Sequence, residues 1–219
     1  MQEKDIIAKY FAPLSKNAKG ADGLNDDIAV LGNIGSGLLA INMDSLVAGT
    51  HFFPNDDPAI LAQKCLRVNI SDLASKAATP FGYLLSLALP ENCDEAFIAD
   101  FAKGLAIDQR NYGLSLLGGH TVKTAGPLTI TITLFGLLQS NKVPRRSHAN
   151  IDDDIYVSGT IGDGALGLLA HPDYTGHNRL TAAYSRHIGH YLCPEPRVEL
   201  HAIISQFANA SMDISDGLL

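Results

Sequence analysis

The chain has 219 residues, 46% of them hydrophobic and 18% charged. That suits one large domain, or one domain and part of a second, and excludes a disordered polymer. A formal charge of −7 argues against a fold-wide nucleic-acid surface. The three scattered cysteines (Cys65, Cys93, Cys193), the charged N-terminus and the absence of a long apolar run predict reduced thiols, no membrane span and a cytoplasmic protein.

Residues 2–11 predict a short amphipathic helix, with Ile6, Ile7 and Tyr10 at helical spacing. The stretch from Gly20 to Asp27 reads as loop. Ile28–Leu31 and Leu38–Met43 read as strands around the turn GNIGSG, with Asp44 directly after the second. Pro58–Ala78 is the longest helical segment and opens on a proline suited to a first turn. Leu84–Leu89 predicts a buried strand, Glu95–Tyr112 a second helix, and Leu114–Leu117 a strand running into Gly118-Gly119. Leu128–Leu138 alternates β-branched residues and predicts a long strand.

A basic polar link, Lys142 to His148, marks a boundary between an N-terminal domain (1–143) and the start of a second, incomplete one (144–219). In the latter, Ile155–Ser158 predicts a strand, Ala165–Ala170 the start of a helix, and 178–192 and 196–208 further helices. MDISDG at 212–217 reads as a strand-to-helix junction.

The chemistry is carried by aspartates at element junctions: Asp26, Asp27, Asp44, Asp72, Asp213 and Asp216. An aspartate beside an apolar strand is costly when buried and unpaired. Each alone suits a turn or a helix cap. Six together, with few lysines or arginines near in sequence, point to a hard cation such as Mg²⁺, which takes oxygen ligands. Arg145-Arg146 fits either a solvated loop or a phosphate clamp, because the guanidinium fork matches phosphate oxygens.

Two other patterns carry less. Gly162-x-Gly164-x-x-Gly167 matches a dinucleotide-binding glycine pattern, but no acidic residue ends a following strand. It reads as a glycine-rich turn, and NAD binding is a poor reading. His187, His190 and Cys193 share a helical face without a fourth zinc ligand. A Walker-type phosphate loop is absent from the sequence.

Seven blocks, in order, resemble the thiamine-monophosphate kinase family: D-D-x-A-V-L at 26–31, MDSLVAGTHF at 43–52, KCLRVNISDLASKAA at 64–78, YGLSLLGGHT at 112–121, RRSHA at 145–149, DDIYVSGTIGD at 153–163 and MDISDG at 212–217. The chain is more distantly similar to the superfamily of aminoimidazole ribonucleotide synthetase, selenophosphate synthetase and a hydrogenase maturation factor. The resemblance implies an α/β fold of the α+β type: an N-terminal mixed sheet flanked by helices, dimerising through the sheet, followed by the beginning of a second α/β domain. It implies transfer of the γ-phosphoryl group of ATP to thiamine monophosphate, in a homodimer with ATP near the subunit interface and no nucleic acid or membrane partner.

Carried over block by block, the resemblance implies metal ligation by Asp27, Asp44, Asp72, Asp213 and Asp216, with Asp26, Asn42, Met43 and His120 as further candidates. It implies ATP contacts at Gly119, His120, Arg146 and Ser215, and a substrate contact at His51. Such a pocket repels two anionic substrates unless several Mg²⁺ ions bridge them. The attacking phosphate oxygen is already largely deprotonated, so no general base is expected, and Arg146 is the fixed positive charge. The chain departs from the family where His120 stands for an aspartate and Met43 for a hydroxyl residue, and Asn25 and His148 replace glycines. Imidazole suits Mn²⁺ better than Mg²⁺. A catalytically impaired nucleotide-binding relative and a sister enzyme with another substrate are the alternatives.

Overall fold

The computed structural model describes residues 3–18, 37–138, 140, 142–180, 182–215 and 217. Helix α1 (Glu3–Ile6) widens into a π-type turn over Ile7–Phe11 and tightens over Ala12–Ser15. Four strands follow, β1 (Leu38–Val47), β2 (Thr79–Leu89), β3 (Ser115–Lys123) and β4 (Thr129–Leu138). They form one mixed sheet in the order β1-β4-β2-β3, with β2 and β3 parallel and β4 antiparallel to both its neighbours. Helices α2 (Pro58–Ser75) and α3 (Glu95–Tyr112) lie between these strands in sequence. The predicted strand Ile28–Leu31, and the loop before it, lie outside the described residues.

Both helices start and stop as their sequences dictate. Asp57 caps α2 by accepting from the amides of Ala59 and Ile60, with Pro58 in the first turn. Asp94 caps α3, and Gly113 closes it at φ 69. Helix α2 ends at Ser75, earlier than Ala78, because Ala77 turns to φ 60 and feeds the chain into β2.

Leu61, Leu66, Ile70 and Leu73 of α2 bury against Ile130, Ile132 and Leu134 of β4 and against Phe101 and Leu105 of α3. Between the helices, Asp108 is fully buried. It accepts two hydrogen bonds from Arg67, at 2.7 and 2.9 Å, and one each from Gln63 and Asn111. A buried carboxylate is tolerated when paired and bonded in this way.

The strands run further than their apolar runs predict. Asp44 lies inside β1, opposite Ile132, because β4 offers pairing partners as far as Thr129. Strand β2 begins at Thr79, and Pro80 precedes the pairing with β3, which starts at Gly82. Strand β3 continues through Gly118, Gly119 and His120 to Lys123. A Cβ at Gly119 would overlap the Leu85 carbonyl, so the glycine allows close backbone approach.

One sheet face is covered by the helix layer, and among the described residues the other is open. Leu39, Ile41 and Met43 of β1 alternate onto the open face, and Met43 is 63% exposed. Register places Ser45, Thr131, Ser86 and His120 in one polar row across that face. The Ser45 and Thr131 hydroxyls are 2.6 Å apart.

After the sheet come α4 (Asp163–Ala170), α5 (Ile188–Leu192) and α6 (His201–Phe207), with 3₁₀ turns before α5 and α6. Ile155–Ser158 is not a strand. No described strand pairs with it, and Ile155 is 92% exposed. Residues 212–215 are likewise irregular. At Gly162, φ is 94, and α4 follows at once. A Cβ at Gly167 would overlap the His187 carbonyl, so this glycine serves packing.

A Cβ at Gly104 would overlap the Ala59 carbonyl, so α2 and α3 touch backbone to backbone there. Gly104→Ala gains about 1 kcal/mol in helix propensity but forces the helices apart at about 1–3 kcal/mol. A net loss of stability is expected in chemical denaturation, in contrast to the gain this change gives on an exposed helix face.

Candidate active site

The inward alternation of β1 puts Asn42 and Asp44 on the sheet face that carries α2. Helix α2 presents Asn69, Asp72 and Lys76 at helical spacing, a polar stripe on an otherwise apolar helix. The Asn42 amide joins the two elements. Its Nδ2 donates to Asp72 Oδ2 at 3.0 Å and to Asn69 Oδ1 at 3.1 Å. Its Oδ1 is buried and has no hydrogen-bond partner among the described residues.

A third segment closes in from far along the chain. Ser71 Oγ donates to Asp213 Oδ1 at 2.5 Å, and Ser215 Oγ to Asp213 Oδ2 at 2.9 Å. Lys76 Nζ donates to the carbonyls of Pro144 and Ser211. This lysine therefore holds the 144 and 211 segments together at the end of α2. Burial holds the Asp72 carboxyl above its ordinary value of 3.8, with the Asn42 hydrogen bond opposing and the charges of Asp213 and Asp44 adding to the rise. Arg146 lies close enough to favour ionised Asp72 and, after burial, to help lower the Lys76 pKa.

Asn42, Asp44, Asp72, Arg146, Asp213 and Ser215 thus converge. Asp26, Asp27 and Asp216 lie outside the described residues. Met43 points its side chain to the open face. Gly119 and His120 sit on β3, three strand spacings or roughly 14 Å from β1. His120 is also on the face opposite Asp44, so the register separates the two. His51 follows β1 in a tight loop, where its Nδ1 accepts from the Val47 amide at 3.0 Å.

Ser71, Asn69 and Lys76 are site residues the sequence reading passed over. Their signal is the polar stripe around Asp72. His187 and His190 gather on Asp163, at 3.1 and 3.8 Å. His190 and Cys193 line an open cavity of about 460 Å³ with Arg67 and Tyr112, apart from the aspartates.

Among the described residues, no three His, Cys, Asp or Glu side chains stand close enough together to hold a metal ion. The donor chemistry nonetheless fits a hard cation. The converging donors are all oxygens, the buried Asn42 carbonyl lacks a partner among the described residues, and the charges of Asp213 and Asp44 add to the rise in the Asp72 pKa.

Residues 25–138 match the model of the AIR synthase related protein, N-terminal domain. The thiamine-monophosphate kinase of Caulobacter vibrioides is 42% identical over 99% of the chain and 60% of its own length. The crystal structure of thiamine-monophosphate kinase from Stenotrophomonas maltophilia K279a superposes with a TM-score of 0.79. It is 33% identical, over 96% of this chain and 69% of that one. The chain belongs to the thiamine-monophosphate kinase family. A further similar structure, AaThiL complexed with AMPPCP and TMP, has a TM-score of 0.73 at 30% identity, over 98% of this chain and 65% of that one. The chain spans about three fifths to two thirds of the length of curated relatives it matches. No helix among the described residues is long and apolar enough to cross a membrane.

Desolvation and like charge raise the Asp72 pKa, so its ionised form costs stability above the folded pKa. That cost disappears as pH falls through the folded pKa to the unfolded value. In the metal-free protein, Asp72→Asn should therefore raise the melting temperature at pH 7. The advantage should fade toward pH 4, as read by thermal unfolding across pH.

Proposed function

We propose that this chain carries the ATP- and metal-binding part of an enzyme that phosphorylates thiamine monophosphate with ATP. The observation that carries the reading is the approach of Asp44 and Asp213, from distant segments, to Asp72, near enough for their charges to raise its pKa, with Asn42 bonded to Asp72 and Arg146 near it. Family membership and a similar structure complexed with AMPPCP and TMP support it.

In the proposed reaction, an oxygen of the thiamine monophosphate phosphate bonds to the γ-phosphorus of ATP. The bond from that phosphorus to the β,γ-bridging oxygen breaks in line, its electron pair leaves with ADP, and thiamine diphosphate forms. The acceptor oxygen carries no proton that must be removed, so the chain needs no general base. Asp27, Asp44, Asp72, Asp213 and Asp216, with Asn42 Oδ1, would hold Mg²⁺, which neutralises phosphate charge when bound. An oxygen-only set suits Mg²⁺ and Mn²⁺ alike.

Arg146 offers a permanent fork to the transferring phosphoryl group. Ser215 donates to Asp213 and would contact nucleotide phosphate. His51 Nδ1 accepts from the Val47 amide, which in the neutral ring leaves the proton on Nε2 as a donor for the acceptor phosphate. The open apolar sheet face, with Leu39, Ile41 and Met43, suits a second copy of the chain. In such a dimer His120 and Gly119 would belong to the inter-subunit region where ATP binds. Residues 1–143 and 144–219 would then divide the work: the first carries the sheet and α2, the second brings Arg146 and Asp213.

Purified chain with ATP, Mg²⁺ and thiamine monophosphate should form thiamine diphosphate. Arg146→Ala should slow it about 100-fold, the scale of losing one preorganised charge at a transition state. Thiamine diphosphate synthesis unaffected by Arg146→Ala or Asp72→Asn would overturn the assignment.

A further inference from the structure

The loop after β1 holds more than its own hydrogen bonds require. The His51 ring and amide both bind Val47, Nδ1 accepting at 3.0 Å and the amide donating to the Val47 carbonyl at 2.9 Å. The His51 carbonyl is held from outside. Lys64 Nζ of α2 donates to it at 3.0 Å, and the Tyr191 hydroxyl of α5 at 3.2 Å. The ammonium also sits 3.5 Å from the centre of the Tyr191 ring.

The supports of that arrangement are themselves buried. Lys64 is 8% exposed, and burial pushes its pKa down to about 8 against the pull of Asp56. Asp56 accepts from the Phe53 amide at 3.0 Å and stands 3.2 Å from His171 Nε2. The His171 ring stacks on Phe53 at 4.2 Å, and its Nδ1 accepts from the Asp173 amide. That hydrogen bond leaves the His171 proton on Nε2, directed at Asp56.

A buried ammonium that donates to a carbonyl, faces a ring and is drawn only at a distance by Asp56 is an expensive way to fill space. A methionine would fill the same volume without desolvating a charge. We propose that Lys64 and Tyr191 are positioning residues for His51, and that through Tyr191 the α4–α5 segment sets where the acceptor phosphate is held. This rests on the reading of His51 as the acceptor-phosphate contact. Neither residue touches the aspartate group, so the effect falls on the acceptor and spares the nucleotide.

The test uses the full chain with ¹⁵N-labelled histidine, with the His51 ring assigned by its loss in His51→Gln. Wild-type protein should show a single Nε2–H tautomer at His51. Tyr191→Phe, which removes one hydroxyl, and Lys64→Met should each broaden or average that signal. They should weaken thiamine monophosphate binding about fivefold per lost hydrogen bond, with nucleotide binding unchanged. Lys64→Arg should restore most of both readouts. A His51 ring signal identical to wild type in both variants overturns the proposal. So does a parallel loss of nucleotide affinity, which marks a merely structural role. If wild-type chain binds no thiamine monophosphate while the variants still release the ring, the proposed function fails and the positioning stands.

Discussion

Helix α2 is held on two sides, and the site follows from that. Its apolar stripe is buried against β4 and α3, and Gly104 lets the α3 backbone meet it at Ala59. With both contacts fixed, the helix can neither roll nor slide without opening the core. Its remaining side chains are therefore delivered to set places: Lys64 under the His51 loop, and Asp72 and Lys76 beside β1 and the 211–215 segment. The two ends of the proposed site, acceptor and nucleotide, are carried by one rigid body.

That rigidity lets a costly arrangement persist. Asp72 is half-buried near two other carboxylates, and Asn42 is the described side chain that donates to its carboxylate. A flexible scaffold would relax by moving these groups apart. Here the core holds them, so the repulsion remains available to be relieved by bound positive charge. On the proposed function, stability given up locally is the counterpart of affinity for a cation.

Much of the fold was legible from periodicity and punctuation. Asp57-Pro58 and Asp94 mark the helix starts, Gly113 marks an end, and the Thr–Ile alternation of β4 is plain. Strand lengths were less legible, because pairing partners rather than local apolar runs decide them. Asp44 and Gly119 are in strands because β4 and β2 extend alongside. Ile155–Ser158 has strand-like residues, but among the described residues no strand pairs with it. For the site, the aspartates announced themselves, and their neighbours on the helix did not. Asn69 and Lys76 look like ordinary polar helix residues until Asn42 and the Ser211 carbonyl arrive from elsewhere in the chain. The face on which His120 lies depends on the register shift between Tyr83 and Leu84, which no local pattern in the sequence displays.

Strand β1 serves two unlike surfaces at once. Residues 39, 41 and 43 are apolar and face outward, while 42 and 44 are polar and face α2. Either set can vary alone, since each answers to its own surroundings. The length of the strand has no such freedom. Insertion or deletion of one residue before Asn42 would exchange the two sets, turning methionine and isoleucine toward α2 and carboxylate toward the open face. Divergence in this strand is therefore expected to proceed by substitution, with gaps confined to the loops at its ends.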